Sequence, residues 1–168
     1  MRDISVEKLI QIFQMEAHPE GGYFKETYRA FESISKVALP ERFNGDRSFS
    51  TGIYYLLPEG TKSSLHRIAS DEMWHFYLGD PLVVVQFMPD GQVVETILGN
   101  EIERGQKVQH VVPAGCWFGA YPGPGSHFSF VGCTVAPGFD FGDFEMGNRD
   151  QLLKEYPSAK ALIEKLMA

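Results

Sequence analysis

Nowhere does this chain approach the run of about eighteen apolar residues that a membrane-spanning helix requires. Its first residues also lack the basic-then-apolar pattern of an export signal. A soluble, cytoplasmic protein is therefore expected. Cysteine is scarce: only Cys116 and Cys133 occur, far apart and in apolar, strand-like surroundings. Two such residues read as buried free thiols in a reducing compartment and exclude a disulfide framework. Basic charge is also short, with 15 Lys and Arg against 22 Asp and Glu, and the net charge of -7 is spread without blocks. Such a surface repels nucleic acid phosphates and anionic lipid headgroups, so neither is expected as a partner. There is no internal repeat, low-complexity stretch or linker.

What remains is enough for one core. The 168 residues are 43% apolar, with thirteen Phe, which suits a single packed domain over residues 1–168. Val6, Leu9, Ile10 and Phe13 recur at helical spacing behind Ser5, predicting an amphipathic helix over residues 5–16 that ends at His18-Pro19-Glu20-Gly21-Gly22. Strand-like segments then follow at about 23–29, 48–57, 61–69, 72–79, 82–88, 92–98, 107–112, 116–121 and 126–136. Turn signals separate them, the clearest being Met88-Pro89-Asp90-Gly91-Gln92, a Pro-primed turn closed by Gly. Asn148 caps a return to helical pattern, Pro157 splits it, and Ser158 caps a last helix through Met167. Many short, evenly spaced strands bracketed by helices predict a mainly β, double-sheet jelly roll with a barrel over about 22–136 and a loop and helices over 137–168.

The stretch SSLHRIASDEMWHFYLG carries the most information. His66 and Glu72 lie six apart and Gly79 follows Glu72 by seven. That spacing resembles the first signature of the cupin superfamily, Gly, His-x-His, three or four residues, Glu, six residues, Gly. A second signature, Gly, five residues, Pro-x-Gly, two residues, His, is similar to Gly105, Pro113-Ala114-Gly115, Cys116 and Trp117, with a Gly-to-Pro gap two residues longer. In metal-dependent cupins the His and Glu of these signatures bind a divalent ion. Here Ile68 and Phe118 stand where two of the His belong, so only His66 and Glu72 of four ligands remain. A tight first-row metal site needs three or four protein ligands. No cofactor is therefore expected. A metal held by His66, Glu72 and a displaced His127 is the lesser alternative.

Segments 18–29, 50–60, 63–82, 113–120 and 133–145 together resemble the uncharacterised fifth cupin family. The resemblance implies a double-stranded β-helix barrel, similar in fold to sugar epimerases and seed storage globulins, that pairs into homodimers; it implies no particular reaction. It also implies that His66 and Glu72 face the barrel interior. By strand alternation Ser64, His66 and Ile68 share a face, as do Glu72, Trp74 and Phe76, and Phe118 and Tyr55 complete the wall. A His–carboxylate pair suits proton abstraction next to a carbonyl. The leading expectation is a metal-independent epimerase or isomerase of a small polar, sugar-like or carboxylated molecule. His66 would be the base, Glu72 its orienter, and Tyr55 or Tyr121 the acid. A barrel that binds or stores a ligand without turnover is the alternative.

Other candidates are weaker. The strand at 23–29 divides into Tyr23, Lys25, Thr27 and Arg29 against Phe24, Glu26 and Tyr28, and alternation does not say which set faces inward. Tyr23 and Arg29 are nonetheless candidate ligand contacts, Arg29 for a carboxylate or phosphate. His75 should face away from Glu72, under a helix or at a subunit contact, and His18 and His110 are assigned no role. Pro137–Glu145 interleaves three Phe with three acids and reads as an aromatic plug whose carboxylates face solvent, with Asp140 and Asp143 as possible second acids.

Overall fold

The computed structural model describes residues 4–167. Helix α1 spans Val6–Phe13, and the Ser5 hydroxyl accepts the Lys8 N–H at 3.3 Å, as the capping pattern predicts. It stops short of residue 16. Gln14 adopts a left-handed conformation (φ 50°), Met15 N–H donates to the Ile10 carbonyl at 3.0 Å, and the chain turns at once into strand β1, Glu16–Ala17.

The nine expected strands are present: β2 (Tyr23–Arg29), β5 (Thr51–Pro58), β6 (Ser63–Arg67), β7 (Asp71–Gly79), β8 (Leu82–Phe87), β9 (Val93–Leu98), β10 (Gln109–Val112), β11 (Trp117–Pro122) and β12 (Phe128–Ala136). Three further two-residue strands, β3 (Ser33–Ile34), β4 (Arg47–Ser48) and β13 (Glu145–Met146), were not anticipated. Helices α2 (Arg149–Glu155) and α3 (Lys160–Met167) close the chain, with the Asn148 side chain accepting the Gln151 N–H at 3.0 Å. The β8–β9 turn is the expected hairpin, with Gly91 at φ 86° and Met88 N–H on the Gln92 carbonyl at 2.8 Å.

Two antiparallel sheets face each other, one ordered β1-β2-β5-β12-β7-β10 and the other β13-β6-β11-β8-β9. Their inner faces enclose Tyr55, Leu57, Trp74, Phe76, Leu82, Val84, Leu98, Phe118 and Val131. Helix α1 covers the outer face of the first sheet through Leu9, which packs with Leu56 and Phe130. Helices α2 and α3 cover the outer face of the second, where Leu152, Ile163 and Leu166 pack with Leu65, Phe87 and Trp117. This is the mainly β jelly roll with short terminal helices that the strand spacing predicts. Among the described residues no helix is long and apolar enough to cross a membrane.

Of three register shifts between paired strands among the described residues, those in β2 and β6 decide which side chains reach the cavity. On β2, Glu26 pairs with Ile53 but Tyr28 pairs with Gly52, so Thr27 is an extra residue. Phe24, Glu26 and Arg29 consequently share the inner side, mixing the two sets that alternation would keep apart. On β6, His66 opposes Phe118 while Ser63 opposes Ala120, which again inserts one residue. Ser63, not Ser64, therefore joins His66 inside. Gly119 sits across this bulge, where a Cβ would lie 2.7 Å from the Ser63 carbonyl oxygen.

Candidate functional site

A cavity of about 180 Å³ opens at one end of the barrel. Its floor and walls are Glu20, Thr51, Ile53, His66, Ile68, Glu72, Cys133 and Val135, and its mouth is Phe24, Glu26, Arg29, Phe139, Asp140 and Phe141, with His18 between. That volume holds on the order of ten water-sized groups, suited to a small polar molecule.

The carboxylate that meets His66 is Glu20, which sequence reasoning treated only as part of a turn. His66 Nε2 lies 3.0 Å from Glu20 Oε2. The other imidazole nitrogen, Nδ1, lies 2.7 Å from the Ser64 carbonyl, which can only accept, so Nδ1 carries a proton. Ser63 Oγ donates to Glu20 Oε1 at 2.9 Å, and the Ser64 N–H donates to the Glu20 carbonyl at 2.8 Å. Both are buried, His66 between the rings of Phe118 (centroids 4.1 Å) and Phe144 (5.3 Å). Burial opposes the charge on each, but their mutual attraction prevails: the His66 pKa is raised and that of Glu20 lowered. His66 is thus an imidazolium with both nitrogens engaged, not the free base the motif suggests.

Glu20 reaches His66 because its turn is forced into place. Gly21 (φ 115°) and Gly22 (φ 70°) occupy the left-handed region, and a Cβ on Gly21 would sit 2.1 Å from the Lys62 carbonyl oxygen. The Tyr55 hydroxyl donates to the Gly21 carbonyl at 2.7 Å. The signal was present in the sequence as a Gly-Gly pair after an acid.

Glu72 lines the same cavity, on β7. Burial, augmented by the Glu20 charge and partly offset by His66 and a hydrogen bond from the Cys133 thiol, raises its pKa to about 7. Burial and the Glu72 carboxylate hold the Cys133 thiol protonated, well above its usual range. His18 is the third member. Its Nδ1 accepts the Glu20 N–H at 3.2 Å, which leaves the proton of the neutral ring on Nε2. Burial lowers its pKa, with Glu20 opposing, so the ring is neutral near pH 7. His18 packs edge-on against Phe24 at 4.7 Å.

Several expected site residues lie elsewhere or are differently engaged. Ile68 and Phe118 do wall the His66 region, and Trp74 is fully buried behind it with Nε1 unpaired among the described residues. Tyr55 is near, but its hydroxyl is committed to Gly21 and its pKa is raised well above the ordinary value by burial. Tyr121 points from the other side of β11, donates to Glu95 at 3.0 Å and lies under Lys165, so it cannot serve as the acid. Tyr23 packs under α1 rather than in the cavity, because it alternates with inward Phe24. Arg29 is at the mouth, yet its guanidinium closes on Glu26 at 3.0 and 2.7 Å and reaches the Phe139 carbonyl at 3.1 Å. His127 is exposed, its N–H held by Asp80 at 2.7 Å. Asp80 is eight residues beyond Glu72 along and just past β7, about 26 Å at the strand rise, so His127 cannot join a site with His66. His75 faces outward as expected, bonded to Thr134 and Gln109.

The segment 137–147 is a strap across the mouth. Contrary to the expectation of solvated acids, Asp143 forms a buried bidentate pair with Arg47 at 2.6 Å, and residues 141–143 make a 3-10 turn rather than an extended run. Phe139, Phe141 and Phe144 cluster edge-to-face, with centroids of Phe139 and Phe141 5.0 Å apart. The residues do not fit a cupin metal: Ile68 and Phe118 fill two ligand positions, both His66 nitrogens are engaged, and among the described residues no group of three His, Cys, Asp or Glu is arranged to hold an ion.

Comparison with known proteins fits this architecture. The family model described as Cupin_5, cupin superfamily (DUF985), matches residues 7–147. An uncharacterized protein of Saccharomyces cerevisiae, YML079W, is 32% identical over 148 residues, covering 83% of this chain and 73% of the yeast protein. The crystal structure of protein SO0799 from Shewanella oneidensis superposes with a TM-score of 0.87 at 35% identity, over 98% of each chain. A hypothetical protein from Leishmania major gives 0.87 at 32% identity, over 97% of this chain and 98% of that one.

Proposed function

The chain belongs to the Cupin_5 family, and from that premise we propose that its cavity is the site of a metal-independent isomerase or epimerase acting on a small polar carbonyl compound. The observation that carries the reading is Glu72: a buried carboxylate raised to about 7, facing a cavity beside a fixed imidazolium. A base with a pKa near the working pH is best placed both to take and to return a proton. Glu72 takes the proton from the carbon next to the carbonyl. Charge developing on the carbonyl oxygen is met by the Nε2–H of neutral His18 and by the positive field of His66. Protonated Glu72 then returns the proton from the side it already occupies. Delivery to the neighbouring carbon gives the isomer, as the adjacent hydroxyl proton passes to the former carbonyl oxygen. Delivery to the original carbon, once the enediol has turned over in the cavity, gives the epimer. The roles of His66 and Glu72 are thereby exchanged relative to the sequence expectation: His66 supplies charge and Glu72 moves the proton.

The test is carbon-bound hydrogen exchange in D₂O, followed by NMR, over a panel of aldoses, ketoses and small amino ketones. Wild type should exchange the proton next to the carbonyl, and Glu72→Gln should lose at least about 100-fold in rate while keeping its circular dichroism. Exchange that persists in Glu72→Gln would refute the mechanism. A second reading, binding without turnover, is favoured by the double engagement of His66. It predicts a ligand recovered unchanged and no exchange in wild type.

A further inference from the structure

The mouth of the cavity narrows what can enter. Four carboxylates line it, Glu20, Glu26, Glu72 and Asp140, against two cations, Arg29 and His66. Both cations are taken: His66 faces Glu20 at 3.0 Å, and Arg29 forks onto Glu26 at 3.0 and 2.7 Å. Among the described residues the lining acids without a direct ion pair are Glu72, on the floor, 8% exposed and in the field of His66, and Asp140, exposed at the rim in the field of Arg29 and Arg47. One Asp140 oxygen accepts the Gly142 N–H at 2.7 Å, which holds the side chain in place.

The rings of Phe24, Phe139 and Phe141 line the cavity with these acids, and Phe141 is 55% exposed, its ring 6.4 Å from the His18 imidazole. Aromatic faces carry the negative end of a quadrupole and attract cations, as do unmatched carboxylates. A carboxylate or phosphate would meet like charge and find the Arg29 fork closed. A neutral polyol would donate hydroxyl hydrogen bonds to the carboxylates but bring no charge to offset them or to meet the ring faces.

We infer that the cavity binds a small organic cation, an alkylammonium compound whose charged end lies against the Phe24, Phe139 and Phe141 rings beside Asp140, with its polar remainder directed at Glu72. This deepens the isomerase reading, on which its substrate class rests: the substrate becomes a small carbonyl compound that bears an ammonium group. The binding itself requires no turnover. The carboxylated ligand expected from Arg29 is replaced by its opposite in charge.

Three probes of one shape separate charge from fit: choline, 3,3-dimethylbutan-1-ol and 3,3-dimethylbutanoate, which are positive, neutral and negative. Isothermal titration should give choline about 10-fold tighter binding than the alcohol, and no binding of the carboxylate. Asp140→Asn keeps the oxygen that caps Gly142, and Phe141→Ala removes a largely exposed ring. Asp140→Asn should weaken choline several-fold and leave the alcohol unchanged, and Phe141→Ala should weaken choline more than it weakens the alcohol. Equal binding of choline and the alcohol, tighter binding of the carboxylate, or no binding of any probe overturns the inference. Proton exchange that depends on Glu72 while choline fails to bind rejects the cation preference alone. Choline binding without exchange rejects the isomerase reading alone.

Discussion

Replacing Glu72 by Gln should reshape the pH dependence of stability in a direction opposite to the usual carboxylate. Glu72 rises from an ordinary value of 4.5 to about 7 on folding, chiefly through burial. Between those values the unfolded chain has released a proton that the folded chain still holds, so raising the pH favours unfolding. The stabilisation present below pH 4.5 is therefore lost progressively and is gone above pH 7. At about 1.4 kcal/mol per pKa unit the loss amounts to about 3 kcal/mol. Gln keeps the shape and cannot ionise, and the His66–Glu20 pair is present in both proteins, so the difference reports Glu72 together with its coupling to that pair. With a urea slope of about 2 kcal/mol/M, the two midpoints should separate by about 1.5 M between pH 4 and pH 8, Glu72→Gln being the more stable at high pH. Urea denaturation followed by circular dichroism at four pH values measures this. Midpoints that stay parallel across the range would refute the burial argument.

Further outcomes follow from the same geometry. His66→Ala leaves Glu20 buried without its cation and should cost about 3–5 kcal/mol, a fall of about 10 °C in melting temperature, largely restored by adding Glu20→Gln. If the single variant melts like wild type, the pair is not what holds the site. Arg47→Ala strips Asp143 of its buried partner and should cost a similar amount by thermal melting, with an unchanged melting point counting against a seated strap. Gly119→Ala forces a Cβ to 2.7 Å from a backbone oxygen and should cost about 1–3 kcal/mol in urea midpoint analysis. Tyr121→Phe should lose less than about 1 kcal/mol and leave proton exchange intact; lost exchange would restore Tyr121 as the acid.

How far the sequence reveals the fold depends on length and period. The strand Asp71–Gly79 alternates over Glu72, Trp74 and Phe76 before its bulge at Tyr77 and ends at glycine, so it is visible without coordinates. The two-residue strands β1, β3, β4 and β13 are too short to show a period. The site is less legible for a different reason. One extra residue in β2 and one in β6 reverse alternation, which brings Arg29 and Ser63 inward and sets Ser64 aside. The pairing of Glu20 with His66 spans a long sequence separation and depends on the left-handed Gly21-Gly22 turn pressed against Lys62, a contact no local pattern announces. The spacing that singles out His66 and Glu72 in the sequence corresponds to two side chains that line one cavity, with Ile68 beside them.

The strand that follows Glu20 lies near the margin of its sheet, shielded beyond, among the described residues, by the two residues of β1 alone. Margins of sheets open locally at lower free energy than central strands do. When β2 lifts from β5, Glu20 departs with it, and His66 is left to discharge its proton. Amide protection along Tyr23–Arg29 and the protonation of a histidine four strands further along the chain are in this way one equilibrium. Alkaline solution, by neutralising His66, loosens the docked margin, and the fraying of a border strand becomes a readout of the charge at the heart of the barrel.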